Sequence, residues 1–472
     1  MKKQLFTFFL LAVIVSCYNN PNPTLTTKPK EPSINPNKIE PEKKEIETFK
    51  ITEADIKKVT GSKLVKANNS FGTKLFLNIS KENLNKNIFI SPISAAMALQ
   101  MLYNGASEGK ETKKELEKVL EVENLSLDKL NSLNRILSAK LSNPAEDIKL
   151  NIANSIWSDS RKTIFFPEFS DNLKKFYNAE AKDVDFFNGK PEEQINKWCN
   201  EKTNGKIPKV FNDGELKPNK DDKEGDSQLI LINAIHFKAD WQRQFKKEST
   251  QLLRGFRGND SLIREAMFMS DFREFKYYNS SYRYENQTFV KENNKFEVAG
   301  LNYGKDGKLS LYIFLPSEDS SLEDFYNDLS SEVIDKSIAN LYETEGYISF
   351  PKFKNKNTYN LKERLEKQGL NIIFDDEYSD LDKIAKVKEN NAIKNTTHYI
   401  DKIFQDSFID VNEEGSEAAA TTVIVTKTTE VSSSPMSILR FVADRPFFYI
   451  IRDNETKANL FMGSIVDPKY EE

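Results

Sequence analysis

The segment from Gly415 to Val431 constrains the fold more than any other part of the chain, because its two halves favour different structures. Glu413–Ala420 reads EEGSEAAA, a set of short side chains that lose little rotamer entropy and favour helix. Thr421–Val431 has Thr, Val or Ile at nine of its eleven positions, and these β-branched residues favour strand. Such a segment can be an exposed loop in one state and a sheet strand in another. On composition alone, an ordinary edge strand after a turn is the simpler interpretation.

The surrounding sequence favours the two-state interpretation. Residues 411–422, VNEEGSEAAATT, and residues 441–468, FVADRPFFYIIRDNETKANLFMGSIVDP, closely resemble the reactive-centre hinge and the C-terminal signature of the serpins. Asn87–Leu120, Asp183–Ile207 and Gln228–Phe245 also resemble that family. The similarity is spread over nearly the whole of the chain after its polar N-terminal segment.

The resemblance implies an α+β fold. We expect a large, central and mainly antiparallel sheet, two smaller sheets, about eight or nine helices and an exposed reactive-centre loop. In serpins that loop inserts into the sheet as an extra strand. The implied function is inhibition of a serine protease, or alternatively of a cysteine protease, as a suicide substrate that forms a covalent acyl complex. A monomer without a cofactor is expected.

The hinge decides whether a chain of this family inhibits. Successive residues of a strand point to opposite faces, so an inserted hinge would alternate between the core and the outer face. Ser416, Ala418, Ala420 and Thr422 are predicted to point inward, and all are small, as in inhibitory members. The predicted hinge comprises Glu413, Gly415, Ser416, Glu417, Ala418, Ala419 and Ala420.

Five residues match family positions that control the opening of the sheet. Ser91 and Ser94 match two serines under the middle of the sheet, and Asn233 matches an asparagine beneath the opening point. Trp241 matches the tryptophan at the upper end, where insertion begins. Gln405 stands where the family usually has a histidine paired with the asparagine, so we expect a hydrogen bond to Asn233 without a pH response. Ser91 fits equally well as a purely structural N-cap of the following helix.

The scissile bond is predicted from the length of the strand that must insert. In inhibitory serpins the cleaved residue lies about 16 positions beyond the hinge glutamate, and a strand advances about 3.3 Å per residue. Counting from Glu413 gives the bond Thr429–Glu430, whose small Thr suits a shallow, elastase-like pocket. Lys427 is the alternative and would suit a trypsin-like protease. Counting back from the C-terminal signature instead points to residues 435 and 436.

The sequence offers little material for catalysis. His236 and His398 are its two histidines, so a Ser-His-Asp triad or a His-ligated metal site is not expected. Cys199 is predicted to be a buried apolar residue rather than a reactive thiol. Lys plus Arg number 68 against 72 for Asp plus Glu, without a long block of one sign, which argues against a nucleic-acid partner.

The N-terminus predicts export. Met1–Ser16 combines Lys2 and Lys3 with an apolar run that is too short to span a bilayer but typical of a signal peptide. The sequence IVSC ending at Cys17 resembles the bacterial lipobox, in which the Cys carries the lipid. The alternative is a plain secretory signal with a chance cysteine. We therefore expect a membrane-anchored lipoprotein at the cell surface or in the periplasm.

Two further segments complete the predicted organisation. Residues 17–45 are rich in Asn, Pro, Lys, Thr and Glu and have few apolar residues, which predicts a disordered tether. Residues 46–472 contain no second linker and are predicted to form one domain. A non-inhibitory serpin that acts as a surface binding module, and a lipoprotein adhesin of another family, are the alternative functions.

The lipid anchor gives a first testable prediction. The Cys17→Ser variant would carry no lipid, so a high-salt wash should release it from membranes and leave the unsubstituted protein bound. The difference should be large, because one acyl chain binds only marginally and a bacterial lipoprotein carries several. Partition between membrane and soluble fractions measures this. Retention of Cys17→Ser on the membrane would contradict the prediction.

Overall fold

The computed structural model describes residues 49–142, 144–145, 147–216, 227–280, 282–285, 288–291, 296–388, 398–416 and 438–470. Ten α-helices lie within these residues: α1 Glu53–Val59, α2 Lys63–Ser80, α3 Pro92–Gly105, α4 Glu111–Leu120, α5 Leu127–Ser142, α6 Pro167–Tyr177, α7 Pro191–Lys202, α8 Leu322–Asp328, α9 Ser331–Ala339 and α10 Lys362–Glu366. The resemblance predicts eight or nine, so the described part contains at least one more helix than expected.

Nineteen strands lie within the same residues. They are β1 Ile88–Ile90, β2 Ile148–Asp159, β3 Thr163–Phe165, β4 Glu180–Val184, β5 Ser227–Asp240, β6 Gln251–Arg257, β7 Ile263–Asn279, β8 Tyr282–Glu285, β9 Thr288–Lys291, β10 Phe296–Tyr303, β11 Leu309–Pro316, β12 Tyr342–Pro351, β13 Phe353–Asn360, β14 Ala385–Val387, β15 His398–Val411, β16 Gly415–Ser416, β17 Leu439–Val442, β18 Phe447–Asp453 and β19 Asn459–Ile465.

Helix starts follow from local capping chemistry. Thr52 and Ser321 each accept a hydrogen bond from the third residue of the following helix, whose aspartate bonds back to the cap, so α1 and α8 begin with capping boxes. Ser62 and Ser330 cap α2 and α9 with their hydroxyls. Helix α3 instead begins with Pro92, whose missing N–H is not needed in the first turn.

The larger sheet has nine strands and is mainly antiparallel. Its order is β1-β19-β18-β11-β10-β7-β12-β17, with β6 paired to β7 outside this path. All eight residues of β11 and all seven of β18 are buried, which explains their continuous apolar sequences. Strand β17 pairs in parallel with β12 and, among the described residues, is the first strand after β16. Two further pairs, β3 with β14 and β8 with β9, form small ribbons.

The second sheet has six strands in the order β13-β15-β16-β5-β2-β4, and β15 also pairs directly with β5. Its inner face covers the main core. Every residue of α3 is buried there, as the apolar composition of this helix predicts. The outer face of the six-stranded sheet is covered by α7. Ile195, Trp198 and Cys199 of that helix form a separate cluster with Ile230 and Ile232 of β5.

The α+β fold predicted from the resemblance is confirmed. All three residues of β1 are buried, and the apolar run at residues 229–232 lies in β5, where all four residues are buried. The six-stranded sheet, rather than the nine-stranded one, receives the hinge. Residues 1–48 lie outside the described residues, so the signal peptide and the tether stay predictions.

Candidate functional site

The candidate site is the junction of β5 and β15 in the six-stranded sheet. These strands run parallel and pair directly from His398 opposite Ser227 to Phe408 opposite His236, a stretch that we call the seam. Above the seam, β16 lies between the same two strands and is antiparallel to both. Two residues therefore already occupy the upper end of a sheet that is closed below them.

A tight turn connects β15 to β16. The side-chain oxygen of Asn412 accepts hydrogen bonds from the amides of Glu414 at 3.0 Å and Gly415 at 3.3 Å. The amide of Asn412 donates to the carbonyl of Gly415 at 2.8 Å. An asparagine that bonds its own backbone two residues on is a common turn former. The hairpin that would start an inserted strand is thus already folded.

Gly415 is required by a close approach of two main chains. A Cβ at this position would overlap the main chain of Ala239 and Asp240 on β5. Backbone cannot move aside as a flexible side chain can, so any other residue at 415 would push β16 away from β5. Glycine therefore permits the entry of the hinge into the sheet.

Ser416 points into the core, as the alternation of strand residues predicts. Its side chain is fully buried, and its hydroxyl lies 2.7 Å from the hydroxyl of Tyr303. The Tyr303 ring stacks on Trp241 with ring centroids 4.3 Å apart. The indole N–H of Trp241 donates to the carbonyl of Asn412 at 2.8 Å. Trp241 therefore lies at the upper end of the sheet, where the sequence places it.

Two ion pairs stabilise the turn between β15 and β16. Glu413 pairs with Lys352 at 3.0 Å, and Glu414 pairs with Lys247 at 2.8 Å. Burial alone would raise the pKa of Glu413. Hydrogen bonds from its own backbone amide and from Thr250, together with the Lys352 ammonium, more than offset this and hold that pKa below its usual value. Glu413 is thus ionised and paired at neutral pH.

The seam is held shut by Gln405, which lies directly opposite Asn233. The amide nitrogen of Gln405 donates to the side-chain oxygen of Asn233 at 2.9 Å, which is the hydrogen bond expected from the sequence. It also donates to the carbonyl of Ser91 at 2.8 Å, and the amide oxygen of Gln405 accepts from the Ser91 amide at 3.0 Å. A side chain that does not titrate thus ties β15 both to β5 and to the start of α3.

The serine positions differ in detail from expectation. Ser91 occupies the N-cap position of α3, but its hydroxyl makes no capping hydrogen bond. It donates instead to the carbonyl of Leu460 on β19 at 2.8 Å, because Ser91 is fully buried beneath that strand. Ser91 is therefore the N-cap residue by position, as the sequence indicates, but its hydroxyl does not cap the helix. Ser94 accepts a hydrogen bond from the side-chain amide of Asn233, which ties α3 to β5.

The sequence is similar to a family of known proteins, and this similarity agrees with the arrangement of the strands and the hinge. The family model described as "Serpin (serine protease inhibitor)" matches residues 66–468, which is most of the chain. The chain belongs to the serpin family.

Several characterised serpins are similar over nearly their whole length. The leukocyte elastase inhibitor of Xenopus tropicalis is 30% identical over 84% of this chain and 97% of its own. Human antithrombin-III is 28% identical over 99% of this chain and 97% of its own. Among solved structures, the thermophilic serpin tengpin in its native state is 26% identical, covers 89% of this chain and 96% of its own, and superposes with a TM-score of 0.72.

Much of the predicted loop lies outside the described residues. This applies to the hinge residues Glu417, Ala418, Ala419 and Ala420 and to the proposed cleavage positions Thr429, Glu430 and Lys427. Cys17 lies outside them as well. Of the serpin features predicted from the sequence, the structure brings together Glu413, Gly415, Ser416, Trp241, Asn233, Gln405, Ser91 and Ser94.

The histidines and the second cysteine are structural within this serpin. His236 and His398 are 3% and 4% exposed, and they lie at opposite ends of the seam. Cys199 lies on α7 and is fully buried, as predicted, and this burial raises the pKa of its thiol well above the usual value. Among the described residues, no group of three or more His, Cys, Asp or Glu side chains could hold a metal ion.

Three residues of the site were not predicted from the sequence: Tyr303, Lys352 and Asp406. Tyr303, at the end of β10, and Lys352, between β12 and β13, are distant from the hinge in sequence, and nothing in their neighbouring residues indicates the contact. Asp406 follows Gln405 on β15, but this strand also contains Asp401 and Asp410, so its sequence does not single out Asp406. Asp406 is 1% exposed and faces α7, next to Cys199.

The buried carboxylate gives a prediction about pH. Burial raises the pKa of Asp406 to about 6, and Lys356, the Thr358 hydroxyl and the Ser407 amide offset this only in part. A carboxyl group whose pKa is raised by folding stabilises the native state fully below about pH 4, and this contribution is lost as the pH rises through about 6. Asp406→Asn should therefore stabilise the protein by up to about 3 kcal/mol at pH 8 and by little at pH 4.

Denaturant unfolding at both pH values measures this difference. Asp401→Asn is the matched control, because Asp401 lies on the same strand, is partly exposed and pairs with Lys402 at 3.4 Å. It should not reproduce the pH dependence. An effect of Asp406→Asn that is equal at both pH values would contradict the prediction.

Proposed function

We propose that this serpin inhibits a serine protease as a suicide substrate, by inserting its reactive-centre loop into the six-stranded sheet. The observation that supports this most directly is β16. Its two residues enter between β5 and β15, antiparallel to both, above a seam whose strands are parallel to each other. A single strand that continues β16 would therefore pair antiparallel with both neighbours.

The register of β16 specifies what insertion would do. Ser416 lies opposite Val411 on β15 and opposite Ala239 on β5. If that register continued, Thr422 would point inward between Gln405 and Asn233. Its arrival would replace the hydrogen bond that now closes the seam, and the small Thr side chain suits that gap. This agrees with the inward face predicted from the sequence.

The proposed reaction begins at the bond Thr429–Glu430. The serine of the target attacks the Thr429 carbonyl, the peptide bond to Glu430 breaks, and an acyl-enzyme forms as the new amine leaves. Insertion then competes with attack of water on the acyl ester. Insertion is favoured because two antiparallel ladders replace one parallel ladder, which adds hydrogen bonds and buries the side chains of the loop. The serpin contributes the substrate bond and the conformational energy, not a catalytic group.

The relatives support an inhibitory role. The leukocyte elastase inhibitor and antithrombin-III are named for inhibition, and both align over nearly their full length. A small residue at Thr429 suits the shallow pocket of an elastase-like protease. The fold alone does not decide the matter, because a crystal structure of human thyroxine-binding globulin complexed with its ligand superposes with a TM-score of 0.72.

The N-terminal sequence supports a place of action at a membrane. The signal peptide would direct export, and the lipid on Cys17 would then hold the serpin on a membrane, with residues 17–45 as a spacer. An anchored inhibitor would act on proteases that reach that surface. We propose that it acts there as a monomer.

The deciding experiment is to mix residues 46–472 with elastase-like and trypsin-like serine proteases and to look for a complex that resists denaturant. Mass spectrometry of the released C-terminal fragment then locates the bond. A fragment that begins at Glu430 is expected, and one that begins at Thr428 would assign the site to Lys427. One that begins at Ser437 would favour the count from the C-terminal signature. Cleavage without a complex would support the non-inhibitory alternative, and a complex with cysteine proteases alone would change the target class.

A charge on the inward face of the loop should convert the inhibitor into a substrate. In the register of β16, Ala420 would lie between Ser407 and Ile235, which are both fully buried. Ala420→Glu would place a carboxylate there without a partner, at a cost of several kcal/mol. The expected result is rapid cleavage of the loop with little covalent complex, as seen on a denaturing gel.

The neighbouring residue provides the matched control. In the same register Ala419 would face outward between Phe408 and His236, and the ammonium of Lys206 already lies 5.7 Å from the centre of the Phe408 ring. Ala419→Glu should therefore lose much less complex than Ala420→Glu. Equal losses in the two variants would count against insertion in this register.

A further inference from the structure

The side chain of Tyr470 lies between two lysines close to the hinge. Its ring centroid is 4.1 Å from the ammonium of Lys352 and 4.5 Å from that of Lys354. The amide of Lys354 donates to the carbonyl of Lys469 at 3.1 Å, which fixes this segment beside the start of β13. A ring that contacts two ammonium groups offsets part of the repulsion between them, because its π face is negative.

Each of these lysines also pairs with an acid next to the hinge turn. Lys352 bonds to Glu413 at 3.0 Å, and Lys354 lies 3.6 Å from Asp410. The two acids flank Asn412, whose side chain shapes the turn into β16. Lys352 is 9% exposed, so its ion pair is largely shielded from water and from salt.

The hydroxyl of Tyr470 contacts the same turn. It interacts with the side chains of Asp410 and Asn412, and burial together with the charge of Asp410 raises its pKa well above the usual value. The hydroxyl is therefore a protonated donor at neutral pH. Tyr470 thus contacts both lysines and two residues of the turn.

We propose that Tyr470 is a positioning residue for the hinge: it orders Lys352 and Lys354 so that their ion pairs hold the turn at residues 412–415 in the hairpin from which the inserted strand grows. Long lysine side chains lose much rotamer entropy when they are ordered. The ring restricts both chains before the loop is cleaved, so that this entropy is not lost during insertion. The effect on inhibition rests on the proposed function, whereas the effect on the turn does not.

Tyr470 would also affect the competition between insertion and hydrolysis that follows acylation. A loosened turn would delay the first pairs of the inserted strand, and water would then deacylate more of the trapped protease. Loss of the Tyr470 ring is therefore expected to raise the number of serpin molecules consumed for each protease inhibited.

Native-state amide hydrogen exchange of the uncleaved protein tests the effect on the turn. Tyr470→Leu removes the ring and should raise exchange at residues 412–416 roughly tenfold, since two cation–π contacts are lost. Tyr470→Phe keeps the ring and should change exchange less than about threefold. The amides of β11, in the other sheet, should not respond. Unchanged exchange at 412–416 in Tyr470→Leu would overturn the proposal, as would an equal rise in β11, which indicates general destabilisation.

A second variant without a ring and a measurement of inhibition complete the experiment. Tyr470→Gln, a polar replacement without a ring, should reproduce the result if Tyr470→Leu does not fold. The stoichiometry of inhibition should then rise at least twofold in the variants without a ring and stay unchanged in Tyr470→Phe. If the unsubstituted protein forms no covalent complex, the inhibitory function fails while the exchange result still decides the role of Tyr470. If complexes form normally and exchange is unaffected, only the role of Tyr470 is refuted.

Discussion

The direct parallel pairing of β5 with β15 is the interaction on which the rest of the site depends. Parallel ladders are slightly less stable per residue than antiparallel ones, and this one is reinforced at Gln405, which bonds to Asn233 and to both backbone groups of Ser91. All three residues are buried, so each of these hydrogen bonds costs more to break without replacement than it contributes while formed. In the proposed mechanism the seam would stay closed until an entering strand offered new hydrogen-bond partners, so opening and insertion would be one coupled event.

The upper end of the sheet reduces the cost of starting that event. The first pairs of a hairpin are the costly ones, because several backbone dihedrals are fixed before many hydrogen bonds form. Here the Asn412 turn is closed, Gly415 lies against β5, and Ser416 is bonded to Tyr303 in the core. An inserting strand would extend from this hairpin, and each later residue would gain bonds on both sides. The Trp241 ring stacks on Tyr303, and its indole N–H bonds to the carbonyl of Asn412. The position of Trp241 and the conformation of the turn therefore depend on each other.

Sequence reasoning predicted the parts of the site that follow from local rules or from single cross-strand pairs. The alternation of strand residues placed Ser416 inward, and a Gln in place of a His retained the bond to Asn233. A tertiary partner can still replace a local one: Ser91 occupies the N-cap position of α3, but its hydroxyl bonds to β19 rather than to that helix. The hinge contact of Tyr303 spans 113 residues, and no local pattern encodes an approach of that kind.

Gln405 and Asp406 are adjacent on β15, so they lie on opposite faces of the sheet and respond differently to pH. On the inner face, Gln405 closes the seam with bonds that do not vary with pH, because an amide does not titrate. On the outer face, Asp406 is buried beneath α7 at a cost that grows as the pH rises through about 6. In the register of β16, Thr421 would enter beside Asp406, and its hydroxyl can donate to the carboxylate. Insertion would then reduce the cost of burying the ionised Asp406 carboxylate, a cost that the closed sheet bears at neutral pH but not in acid. The hydrogen bond between Gln405 and Asn233 is equally strong at both pH values, so only the outer face of β15 would make insertion depend on pH.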